Sequence, residues 1–155
     1  MIGAIPNPKK TFEVDFNIEK LTSTIEFIPL KNNKYKFTSK NEILKTYRFE
    51  ALEFLSLGVY IDISIGFISD TKTKIEIEVS RKIGAFDQSH EVKKANDHIA
   101  LIATLISECI VLTPQGIKDL EEQKATKANN EKKGCGQTAA VILLIVIGSL
   151  LSIFI

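Results

Sequence analysis

The chain has 155 residues, which is room for one ordinary domain and an appendage but not for two separate cores. Its 20 Lys and Arg face 19 Asp and Glu, and residues 1–113 hold 15 of each sign, so the chain lacks the basic stripe needed to grip nucleic acid or an acidic polymer. Two cysteines, Cys109 and Cys135, make no disulfide framework and point to a reducing compartment.

Along the chain, Met1 to Pro6 shows neither a charged n-region nor an apolar stretch of signal-peptide length, so export by that route is not expected. Phe12, Val14 and Phe16 then alternate with Glu13 and Asp15, the period-two mark of a strand with one buried face. Asn17 is placed to cap a helix in which Ile18, Leu21, Ile25 and Ile28 share a face, with Pro29 ending it. The β-branched Thr22, Thr24 and Ile25 weaken that helix and leave a strand as the alternative.

Asn32 and Asn33 open a turn, and Tyr35 and Phe37 alternate with Lys34 and Lys36 in a short strand. A further strand is expected from Leu44 to Glu50, with Tyr47, Phe49 and Ala51 on one face. Residues 52–57 are apolar without period and read as a turn or irregular crossing. The strongest pattern follows, with Leu57, Val59, Ile61, Ile63, Ile65 and Phe67 set against Gly58, Tyr60, Asp62, Ser64 and Gly66. Ser69 to Lys72 supplies a hairpin turn, and Ile75, Ile77 and Val79 form the partner strand.

Gly84 breaks that strand, and a long helix is expected from Ser89 to about Leu112. Val92, Ala95, Ile99, Ile102, Ile106 and Cys109 form its apolar stripe. Leu101, Leu105, Ile110 and Leu112 widen the stripe beyond what one sheet contact requires, so this surplus is expected to dock a partner protein or to line an apolar ligand cavity. From Thr113 to Gln137 the composition turns to Gln, Lys, Glu, Asn, Ala and Thr, which reads as a tether with one or two helical turns near Pro114.

Ala139 to Ile155 carries no charge. As a helix it rises roughly 25 Å, enough to cross the ~30 Å hydrocarbon core once. Ala139, Ile142, Leu144, Ile147, Leu150 and Phe154 belong to this anchor. Gly148 and Ser152 stand four apart, a spacing that allows a second membrane helix to pack closely. Lys132 and Lys133 precede the span, so the basic side and the domain ahead of it are expected in the cytoplasm, as in a single-pass protein of a bacterial inner membrane. Cys135 lies where juxtamembrane acylation occurs, but a free, unmodified thiol is the expected state.

The expected architecture is α+β: an antiparallel sheet of about five strands in the order strand, helix, four strands, helix, with two helices on one face. It occupies residues 1–113, followed by a linker over 114–137 and a transmembrane helix over 138–155. In element order over residues 11–112 this resembles the helix-grip domains, such as the START-like lipid carriers, with the helix from Ser89 to Leu112 in the gripping position. The resemblance implies a carrier of lipid or another apolar ligand.

No catalytic residue, metal site or cofactor is expected. Asp87, His90, Asp97 and His98 are the cluster nearest to one, but eight residues place His90 and His98 about 80° apart on a helix, which is wrong for joint ligation. His98 is assigned to the solvated face and Cys109 to the core. The leading functional expectation is a tail-anchored, non-catalytic binding or accessory module for a membrane protein complex. The alternative is a small helix-grip domain binding lipid at the membrane surface. The bilayer, another membrane protein and a second copy of the chain are the partners considered, and nucleic acid is not.

Overall fold

The computed structural model describes residues 5–51 and 58–126. The chain forms two compact units, Met1–Thr113 and Pro114–Ile155. In the first unit, β1 (Lys9–Val14) leads into α1 (Ile18–Ile25) and α2 (Ile28–Lys31). The strands β2 (Tyr35–Asn41), β3 (Thr46–Ala51), β4 (Val59–Ser69) and β5 (Lys72–Arg81) follow, and α3 (Ser89–Ile110) closes the order. Among the described residues these five strands make one antiparallel sheet, ordered β1-β5-β4-β3-β2. The last four strands form a meander, and β1 is added to its β5 edge.

The sheet's register follows from its alternating apolar residues. Phe49 lies opposite Ile61, which lies opposite Val79; Tyr47, Ile63 and Ile77 form the next row. All six side chains are buried on one face. A one-residue slip would turn every one of them to the outer face, so the burial itself fixes the pairing. Each fully buried Ile contributes about 1.5–3 kcal/mol relative to an exposed one. The outer face carries Arg48, whose guanidinium donates to both carboxylate oxygens of Asp62 at 2.7 and 2.8 Å. Lys82 reaches Glu50 at 2.8 Å on the same side.

Helix α1 forms as its sequence predicts: the Asn17 side chain accepts from the Lys20 N–H at 2.8 Å, and Leu21 and Ile25 are buried. One expectation is corrected here. Pro29 does not end this helix, which stops at Ile25; instead Pro29 sits in the first turn of α2, where the missing N–H would have had no helical partner. Three helices therefore share the core, rather than two.

Strand β3 also starts later than expected. The Asn41 side-chain oxygen accepts from the Ile43 and Leu44 N–H groups at 3.1 and 3.0 Å, and Lys45 takes a positive φ of 50°. Residues 42–45 are thereby held as a turn, with Leu44 outside the sheet. Strand β2 is longer than expected and reaches Asn41, with an irregularity between Phe37 and Ser39.

Helix α3 packs on β5 and β1, and also on α1 and α2. This second contact accounts for the width of its apolar stripe. Glu108 lies three residues beyond Leu105 and seven beyond Leu101, and its ion pair with Lys31 at 3.6 Å puts that side of α3 next to α2. Leu105 and Ile110 are buried in the common core, while Leu101 and Leu112 are half-buried. Leu105 and Ile110 consequently offer no open face for docking.

In the second unit, residues 114–126 are helical, longer than the one or two turns expected. Among the described residues no helix is long and apolar enough to cross a membrane. The irregular stretch 52–57, Cys135, and the anchor expectations on Ala139, Ile142, Leu144, Ile147, Gly148, Leu150, Ser152 and Phe154 lie outside the described residues.

Candidate ligand-binding site

Strand β2 begins at Tyr35, on the sheet's apolar face, and the turn before it is set by Asn32, whose side chain accepts from the Lys34 N–H at 3.0 Å. The Tyr35 ring, 1% exposed, points under α3 and meets His98, 2% exposed. The Tyr35 hydroxyl and His98 Nδ1 are hydrogen-bonded at 3.0 Å, and the rings meet edge to face with centroids 5.7 Å apart. A polar pair this deep is tolerated because each group meets the other; either one alone would bear the desolvation cost of a buried polar atom.

This placement corrects the assignment of His98 to the solvated face. The signal was present in the spacing: His98 follows Ala95 by three residues and precedes Ile102 by four, so it falls on the arc those two bury. Its neighbours Asp97 and Lys94, both exposed, masked that signal.

Above the pair opens a pocket of about 280 Å³, lined by Lys34, Tyr35, Lys94, Asp97, His98 and Leu101. The base of the pocket is the buried Tyr–His pair, and Leu101 gives it an apolar wall. Two ammonium groups and one carboxylate stand among its lining residues. The volume lies just under the ~300–1,000 Å³ usual for small-molecule sites.

The other sequence candidates lie elsewhere. Asp87 is 3.7 Å from Arg81, which also pairs with Glu91 at 3.2 Å, at the start of α3. His90 is exposed on the first turn of that helix. Neither lines the pocket, and among the described residues no three His, Cys, Asp or Glu side chains converge to hold a metal. Cys109 is buried in the core, as expected, and burial pushes its thiol up to about 11. A thiol held neutral in this way is a poor nucleophile at neutral pH.

The fold is that of a helix-grip α+β domain, a five-stranded sheet whose buried face is spanned by the long helix α3. Solved structures similar to it include three from different sources. An uncharacterized protein from Bacillus thuringiensis matches with a TM-score of 0.52 at 8% identity, over 69% of this chain and 100% of that one. A START superfamily protein from Mycobacterium smegmatis matches at 0.43 with 14% identity, over 67% and 96%. Ara h 8.0201 matches at 0.47 with 10% identity, over 68% and 97%. No protein-family model matches the chain, and no curated protein matches its sequence.

Proposed function

We propose that this domain is a binding module that takes a small amphipathic ligand, with an anionic head and a short apolar part, in the pocket between β2 and α3. It works at a membrane surface, tethered through residues 138–155. The observation that carries the reading is the buried Tyr35–His98 pair at the base of an open pocket. A core made only for stability is served as well by an apolar pair of the same shape, whereas a polar pair lining a pocket gives that pocket a polar floor against which the polar end of a ligand can rest. The lining carries two lysines, Lys34 and Lys94, against one carboxylate, Asp97, a positive excess that favours an anionic head, and Leu101 supplies the apolar wall.

Docking of a partner subunit on α3 has less support, because Leu105 and Ile110 are taken up by the core. A catalytic role has less as well, since Asp87 and His90 stand apart from the pocket.

The test is titration of the full chain in detergent micelles with a short-chain lysophosphatidic acid, followed by NMR of the His98 and Tyr35 rings. Saturable shifts at both rings are expected. Lys94→Glu, a change on the exposed helix face, should weaken the affinity roughly tenfold, as loss and reversal of one close charge does. Shifts spread evenly over the surface, or none at the two rings, would remove the reading.

A further inference from the structure

We infer that the two adjacent hairpin tips at one end of the sheet dip into the interfacial layer of a phospholipid bilayer. This rests on the part of the preceding reading that holds the domain at a membrane, and is independent of what the pocket binds. The tips carry Ile43 and Leu44 in the β2–β3 turn, 92% and 66% exposed, and Phe67 and Ile68 near the β4–β5 turn, 63% and 41% exposed. Among the described residues the other exposed large apolar side chains are Ile83 and Val111, each standing by itself in sequence. Single exposed apolar residues are ordinary on any protein surface, but four gathered at one end are not.

Their proximity follows from the register. Thr46 at the start of β3 lies opposite Ser64, and the Ile65 N–H donates to the Lys45 carbonyl at 3.0 Å, so the 42–45 turn lies against β4 where that strand runs on past β3. Beyond that level, Gly66, Phe67 and Ser69 pair only with β5, and the register shifts between Phe67 and Ser69. Phe67 keeps the register of Ile63 and Ile65 but lies past the end of β3, and the shift that follows it takes Ile68 out of the alternation. Both Phe67 and Ile68 are left outside the core.

The surrounding charges suit a layer that carries both signs. Lys40 is paired with Glu26 and Glu42, each at 3.0 Å, and Lys72 with Glu13 at 3.5 Å and Asp15 at 3.9 Å. Among the described residues no strong field of one sign surrounds the tips, so zwitterionic head groups suffice and anionic lipid is not required. Four side chains on two projecting turns fall far short of the ~800 Å² per partner that a stable protein interface buries. For a domain already held at the bilayer by the charge-free run 139–155, however, the second contact is intramolecular in effect, and a small apolar area is enough.

The chain has no Trp, so Phe67→Trp in the full chain creates a single fluorescent reporter. Ile83→Trp is the control, because Ile83 follows Arg81, which pairs with Val59 at the opposite end of β5 from the hairpin. Both variants are reconstituted in phosphatidylcholine vesicles with brominated acyl chains. The expected result is a blue-shifted, strongly quenched emission for Phe67→Trp and a water-like, unquenched one for Ile83→Trp, unchanged when phosphatidylserine is added. Placing Ile43→Ser and Leu44→Ser in the Phe67→Trp chain should reduce the quenching.

Three results would overturn the inference. The first is a water-like emission from Phe67→Trp in chains that float with the vesicles, which leaves the tether intact and removes only the tips. The second is a blue shift that grows with protein concentration without bromine quenching, which assigns the tips to a second copy. The third is failure of the chain to float at all, which removes the membrane reading with it.

Discussion

Replacing Tyr35 by Phe removes one oxygen atom and little else, which makes it the sharpest probe of the buried pair. Tyr35 and His98 are 1% and 2% exposed, and the deleted group contacts Nδ1 at 3.0 Å. A hydrogen bond exchanged against water is worth about 1 kcal/mol net, but removing one partner at a buried site adds the desolvation of the other, for a total loss of about 1–3 kcal/mol. The ring is retained, so no cavity term enters. Tyr60→Phe is the control: its ring lies on the outer face beneath Arg48 and Lys82, and that change should stay within about 0.5 kcal/mol. Urea unfolding of residues 1–113, followed by circular dichroism, measures both. Equal, small losses in the two variants would mean that water reaches His98 as easily as it reaches the outer face, and would refute the buried pair.

Further outcomes follow from the same packing. Leu105→Asp, at a position 5% exposed between α3 and its neighbours, should prevent folding of the unit, whereas Leu101→Asp should leave it folded; soluble expression of both would contradict the burial. In a Cys135→Ser chain, the remaining thiol at Cys109 should react with a thiol reagent far more slowly in the folded state than in urea. Its pKa, raised by burial to about 11 from 9.0, sets the sign of the pH effect: the contribution is complete below pH 9 and is lost as the pH rises toward 11. A urea midpoint that rises through that window in the native chain but not in a Cys109→Ala variant would contradict it. A double-mutant cycle on Arg48 and Asp62, both partly exposed, should yield a coupling of no more than about 1 kcal/mol.

Much of the fold was legible in the sequence because the strands alternate cleanly. In β4 and β5 the buried Ile and Val residues fall on every second position, so extent, facing and partnership follow together. Two boundaries were hidden by chemistry that periodicity does not report. Asn41 captures the N–H groups of Ile43 and Leu44 and so delays β3, and Pro29 starts a helical turn as readily as it ends one.

The candidate site was less legible, and for a different reason. Whether an apolar residue on α3 is surplus depends on how many elements the helix touches, which is a tertiary property. Leu105 and Ile110 look unneeded against a sheet alone and are required once α1 and α2 lie beside it. His98 was hidden by its exposed neighbours, and Tyr35 read as one more strand residue. The chain separation of 63 residues between them leaves no local trace of the bond they form.

Ligand occupancy of the pocket is read most directly by native mass spectrometry of the full chain, extracted in mild detergent and set beside a Tyr35→Phe, Lys94→Glu double variant. A bound small amphiphile is expected on the native chain, and its loss is expected from the variant while the fold, checked by circular dichroism, persists. A native chain that carries no adduct, and that takes up none when anionic single-chain lipids are added, would contradict it.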